Sequence, residues 1–245
     1  MKLRIMIIVF AALCIGCGAV IGADEDPGFL PGDSILLGEG ISDIFEKGGI
    51  LMWPILLCSI VGLSFILERF VTLRRSVIFP KKLYIKIRET AREGKVAAAI
   101  TLCEGSRSSF AKLLNACLRR AEAPGFEMET ALEEAGSREL YDLRKNGRPL
   151  AVIADVSPLL GLMGTVVGMI KAFEVVAKTG ALGRTELLAE GIGEALVTTA
   201  AGLSVAIPAM IAHQYFRAKA EGLMRTMEDA SIEILVELRK HKKNG

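Results

Sequence analysis

Ser157-Pro158-Leu159-Leu160-Gly161-Leu162-Met163-Gly164-Thr165-Val166-Val167-Gly168-Met169-Ile170 sets the architecture of this chain. On a helix of about 3.6 residues per turn, Ser157, Gly161, Gly164, Thr165, Gly168 and Ala172 share one side, while Leu159, Val166 and Ile170 lie opposite. Every residue on the first side is small. Between Leu150 and Ile170 the only ionisable residue is Asp155, so the segment is long and apolar enough to cross a bilayer. A face of small side chains lets another helix come close.

Gly191 to Ala212 repeats the design with a charge added. Around Glu194 the wheel gathers Thr198, Ala201, Val205, Pro208 and Ala212, with Gly191 and Ala209 at its edge, while Leu196, Leu203, Ile207 and Met210 lie opposite. A carboxylate at mid-membrane costs roughly 2.5–3.5 kcal/mol on insertion scales, so it belongs in a bundle interior or a wet cavity. The other reading is an acid at the membrane edge reaching for headgroups, a place Glu190 suits better.

Outward from these two stretches, 245 residues that are 51% hydrophobic suit a small polytopic membrane protein rather than one soluble domain. The net charge of +2 says little, but its distribution says more. Residues 1–23 carry Lys2 and Arg4, then an apolar run, then small residues, which reads as a secretory signal peptide; an uncleaved helix or a lipoprotein signal at Cys17 are the alternatives. Residues 24–47 hold seven acids against Lys47 and are expected in the periplasm. Residues 48–67 form the first membrane helix, with Trp53 and Pro54 near its entry. Glu68-Arg69, Arg74-Arg75 and Lys81-Lys82 follow and fix that end in the cytoplasm.

Residues 68–149 read as a cytoplasmic helical domain. Pro80 opens one helix, Glu93-Gly94 breaks it, Val96–Cys103 is a second, and a third from Ser108 carries Phe110, Leu113, Leu114, Cys117 and Leu118 at helical spacing. Pro124-Gly125 makes a turn. From Glu127 a charged helix heads for the membrane, weakened at Asn146-Gly147-Arg148-Pro149. The second membrane helix is 150–170, a periplasmic loop 171–187, the third membrane helix 188–213, and an amphipathic cytoplasmic C-terminal helix 214–245. The fold class is therefore all-α: a polytopic membrane protein with long helices and a cytoplasmic helical domain, oligomeric around a central pore.

The motifs themselves carry a resemblance. Ser157 to Phe173 and Leu188 to Phe216, in that order and at that separation, resemble the second and third membrane helices of the MotA/TolQ/ExbB proton-channel family, its ExbB branch most; the Gly-Gly-x-x-Met-x-Pro opening at Gly48 and the Glu68-Arg69 exit extend the likeness. The resemblance implies that Thr165, Glu194 and Thr199 line an ion path, with Pro158 and Pro208 as its helix prolines. The wheel places Thr198 on the carboxylate's face instead, and a bend ahead of Pro208 would bring Thr199 round. His213-Gln214 departs from the Tyr-Asn pair common in the family. A pentamer, an ExbD-like single-span partner with an Asp in its helix, and a TonB-like protein are likewise what the likeness implies. Gly161, Gly164, Gly168 and Gly202 are expected to serve helix packing, and close packing of the glycine side of Ser157 to Ala172 is expected to hold the copies together.

Several chemistries drop out. Cys14 and Cys17 form a C-x-x-C inside the apolar leader, and Cys58, Cys103 and Cys117 imply no disulfide framework. His213 and His241 have no ligand partners at metal spacing, and no phosphate loop exists, so neither a cofactor nor ATP hydrolysis is expected. Interleaved acids and few aromatics argue against nucleic acid. Three function classes remain: an ion-conducting subunit of an ExbB–ExbD-like or Tol-like motor, a passive scaffold whose Glu194 pairs with a partner's cation, and a substrate transporter. Three mature helices without an internal repeat suit the last poorly.

Overall fold

The computed structural model describes residues 48–120, 125–179 and 185–244. The expected signal peptide, the acidic segment 24–47 and the turn residue Pro124 lie outside them. All regular elements among the described residues are helices: α1 (Met52–Thr72), α2 (Arg75–Ile78), α3 (Lys81–Arg92), α4 (Val96–Glu104), α5 (Ser109–Leu118), α6 (Gly125–Lys145), α7 (Arg148–Thr179) and α8 (Thr185–Asn244). The first, seventh and eighth are each long and apolar enough to cross a membrane.

The chain divides into two compact units. The first contains α1 up to Ile66, α7 from Pro149, and α8 as far as His213. Its helix order follows from three contacts. A Cβ on Gly62 of α1 would touch Ile153 of α7, one on Gly48 would touch Val197 of α8, and the α7 glycines meet α8 in reverse order. Hence α1 runs parallel to α8 and antiparallel to α7. Gly49 takes φ +63° just ahead of α1, a turn that a side chain would strain.

The second unit contains the end of α1 from Leu67, α2 to α6, and α8 from Gln214. Its core gathers Leu73, Ile87, Phe110, Leu113, Leu114 and Leu118 with Met227 and Ile234 of α8. Phe79 and Phe110 meet edge to face with ring centroids 4.8 Å apart. Pro80 stands at the N-terminus of α3, and Gly94, at φ +73°, turns the chain after it. The Ser108 hydroxyl caps α5 by accepting from the Ala111 amide at 3.3 Å. Cys103 and Cys117 are buried in this core, and burial pushes each thiol up to about 11. Along α3, Tyr84, Arg88 and Arg92 recur every fourth residue and meet Glu233 and Glu237, also four apart, on α8.

Two helix ends differ from the sequence expectation. The stretch from Lys171 read as loop is helical to Thr179, and α8 begins at Thr185. The apolar run stops at Ile170 while the first helix breaker is Gly180; hydrophobicity marks where lipid contact ends, not where backbone hydrogen bonding ends. The C-terminal amphipathic helix is likewise the continuation of the third span within one 60-residue helix. At the other boundary the weakness at Asn146-Gly147 is a true break, closed by a turn in which the Gly147 amide donates to the Arg144 carbonyl at 2.8 Å.

Arg69 secures that break. It is only 2% exposed, and its Nη2 donates to the carbonyls of Leu143 at 2.8 Å and Arg144 at 3.1 Å. These carbonyls belong to the last turn of α6, where the helix's own amides run out, and the Arg144 carbonyl accepts from the Gly147 amide as well. A cation at a helix C-terminus also suits the helix dipole. Arg144 itself pairs with Glu221, which Arg217 also holds at 3.4 Å.

Candidate functional site

The first unit is organised by the seam between α7 and α8. Both small faces read from the sequence are turned inward: Ser157, Gly161, Gly164, Gly168 and Ala172 are buried on α7, as are Thr198, Gly202, Val205, Pro208, Ala209 and Ala212 on α8. The bulky residues opposite them stay exposed, among them Leu159, Val166 and Ile170 on one helix and Leu196, Ile207 and Met210 on the other.

The approach leaves no room for side chains. A Cβ on Gly202 would lie 2.6 Å from the Ser157 carbonyl oxygen; one on Gly161, 3.0 Å from the Thr199 Cα; one on Gly164, 2.5 Å from the Thr198 Cβ; one on Gly168, 3.0 Å from the Ala195 Cβ. The pairs Ser157–Gly202, Gly161–Thr199, Gly164–Thr198 and Gly168–Ala195 step along an antiparallel contact. These glycines pack α7 against α8 of the same chain. A short connection between consecutive helices makes them antiparallel neighbours. Pro158 and Pro208 both sit inside continuous helices.

Hydroxyl groups line the seam. Thr199 donates across it to the Gly161 carbonyl at 3.0 Å, while Thr198, 1% exposed, donates back to the Glu194 and Ala195 carbonyls of its own helix at 3.0 and 2.9 Å. Thr165 donates to the Leu162 carbonyl at 2.7 Å and opens with Val166, Met169, Ile170 and Phe173 onto a shallow groove. A hydroxyl has one proton to donate, so all three are committed to backbone carbonyls and face other groups as acceptors. The Ser157 hydroxyl is fully buried at the seam with no partner. Thr198 and Thr199 therefore both contact α7. Thr165 stands apart from them, on the open side of α7.

Glu194 sits one turn of α8 beyond Thr198. Its Oε1 is 2.7 Å from the Lys171 ammonium on α7, and its side chain is about three-quarters buried. Gly49 closes over the carboxylate: a Cβ there would lie 3.0 Å from the Glu194 Cδ. Sequence reading missed Lys171, having placed it in a loop. The signal was present, since continuing the α7 wheel past Ile170 puts position 171 beside the glycine face, three residues after Gly168. Among the described residues no group of His, Cys, Asp and Glu is arranged to hold a metal ion.

The chain is 33% identical over 171 residues to the biopolymer transport protein ExbB-like 1 of Synechocystis sp., covering 69% of this chain and 67% of that one. It is 28% identical over 193 residues to biopolymer transport protein exbB1 of Vibrio cholerae, covering 78% and 85%. It is also 37% identical over 123 residues to the Tol-Pal system protein TolQ of Haemophilus influenzae, covering 50% and 53%. The profile of one family matches residues 105–229, a span that takes in about half of the second unit and the whole α7–α8 seam. The chain belongs to the MotA/TolQ/ExbB proton channel family.

Proposed function

We propose that this chain is the proton-conducting subunit of an ExbB–ExbD-like motor in the inner membrane, coupling the proton motive force to TonB-dependent transport across the outer membrane. The observation that carries this reading is Glu194: a titratable carboxyl within the apolar run of α8, at a seam lined by threonine hydroxyls. One charge crossing the membrane releases about 2.3 kcal/mol per 100 mV, and a relay needs a group that can take and lose a proton along the way. Glu194 is that group, with Thr198 and Thr199 along the seam and Thr165 on the open side of α7 as the polar steps of the path.

The path is completed by other chains. Copies of this one, five by family likeness, surround the single helix of an ExbD-like partner bearing an Asp, and a TonB-like protein carries the movement outward. Residues 68–149 and 214–245 lie in the cytoplasm, with 24–47 and the α7–α8 connection in the periplasm. A Tol-like system is the second reading, favoured by the similarity to the Haemophilus influenzae TolQ protein. Growth assays separate the two: loss of TonB-dependent uptake in a deletion strain supports the first, loss of envelope integrity the second.

Glu194→Gln keeps the size and removes the titration. The expected result is normal membrane insertion, assembly and partner co-purification with energised uptake abolished, and milder losses for Thr165→Ala and Thr199→Ala. A scaffold would lose assembly first. Full uptake in Glu194→Gln would falsify the relay.

A further inference from the structure

We propose that Lys171 is a built-in counter-ion that latches Glu194, so that the proton relay stays closed until the ammonium is displaced from the carboxylate. This rests on the reading of Glu194 as the relay and adds its regulation. The geometry is specific: Lys171 Nζ lies 2.7 Å from Glu194 Oε1. Both groups belong to the first unit, and the pair forms across the seam rather than along one helix. The contact depends on the glycines beside it. Gly168 packs on the Ala195 methyl and the Gly191 carbonyl, and Gly191 on the Ala172 methyl, which brings α7 close enough to α8 for the lysine stem to span the gap.

Three elements enclose the carboxylate. α8 carries it, α7 supplies the ammonium, and Gly49 ahead of α1 covers it where any side chain would collide. Lys171 is half exposed while Glu194 is mostly covered, so the cation is the movable member of the pair: its stem can carry the ammonium away to water, whereas the carboxylate stays in the seam. A proton arriving at Glu194 competes with the ammonium for the same oxygen. A fixed positive charge beside the path also repels an incoming proton. The latch therefore suppresses flux when no work is being done. It is released when the ammonium swings out or meets an anion elsewhere.

Inner-membrane vesicles containing the chain, under an imposed potential, test this through the proton flux read by a pH-sensitive dye. Lys171→Gln is expected to raise resting flux several-fold, Lys171→Arg to return it toward the wild-type level, and addition of Glu194→Gln to the Lys171→Gln variant to remove the rise. Unchanged or reduced resting flux in Lys171→Gln would overturn the latch. If wild-type flux survives in Glu194→Gln alone, the relay itself fails; if that variant is silent and Lys171→Gln matches wild type, the latch fails and the relay stands. Should Lys171→Gln not reach the membrane, the unaltered protein decides. A zero-length carbodiimide should join Lys171 to Glu194 as an amide with loss of one water, seen by mass spectrometry, and absence of that cross-link overturns the proposal.

Discussion

At the scale of the residue, Arg69 and Phe110 show what a sequence does and does not disclose. Phe110, Leu113, Leu114, Cys117 and Leu118 recur at helical spacing, and all five are buried, because periodicity alone tells which side of a helix leaves water. Arg69 gives no such signal. It follows an apolar helix and reads as one more cytoplasmic cation, yet it is buried and bonded to carbonyls 74 and 75 positions away. A role that depends on a distant helix end has no local pattern. Arg69→Met removes the Nη2 donor while keeping much of the stem, and leaves the Leu143 carbonyl without its guanidinium partner and the Arg144 carbonyl with the Gly147 amide alone. The expected cost is about 1–3 kcal/mol, concentrated at the end of α6. Arg69→Lys should recover only part of it, because an ammonium is more strongly hydrated than a guanidinium and sits on a more flexible stem. Faster amide exchange at the C-terminal end of α6 in the methionine variant is the check, and wild-type protection there would refute the capping role.

At the scale of the element, the two wheels centred on Gly164 and Glu194 were legible from side-chain size alone, and the structure buries most of both faces, with Thr165 left on the open side of α7. What the wheels could not tell is which helix fills the groove. Either another copy or the next helix of the same chain satisfies a small-residue face, and only the three-dimensional pairing decides. The end of α7 was also hidden, since Lys171 to Thr179 is polar enough to read as loop yet lacks a breaker. Because Gly164 faces α8 and Gly202 faces α7 of the same chain, Gly164→Leu and Gly202→Leu should damage the fold of each chain rather than only its assembly. Forcing a side chain into so close a contact costs roughly 1–3 kcal/mol when neighbours can give, and more here, where the Ser157 carbonyl lies 2.6 Å from a Cβ at Gly202. Reduced yield and earlier thermal unfolding of detergent-purified protein are expected even where it is monomeric. Variants with normal unfolding but a lost oligomer would restore the intersubunit reading of these glycines.

At the scale of the whole molecule, two independent constraints bear on orientation. Contacts within the first unit make α1 parallel to α8 and antiparallel to α7, so the N-terminal ends of α1 and α8 share a side with the C-terminal end of α7. Charge then selects which side that is: Arg69, Arg74, Arg75, Lys81 and Lys82 follow the first span, and Arg217, Lys219 and Arg225 follow the third, whereas seven acids precede the first. Positive charge flanking a span is retained in the cytoplasm, so both basic flanks are expected there. Neither argument uses the other, and they agree. A periplasm-dependent reporter fused at Ala98 or after Gly245 should therefore be silent, and one inserted between residues 180 and 184 active. A cytoplasm-dependent reporter should give the inverse pattern. Activity of the periplasmic reporter at Ala98 would reverse the second unit's side of the membrane and, with it, the direction in which protons reach Glu194.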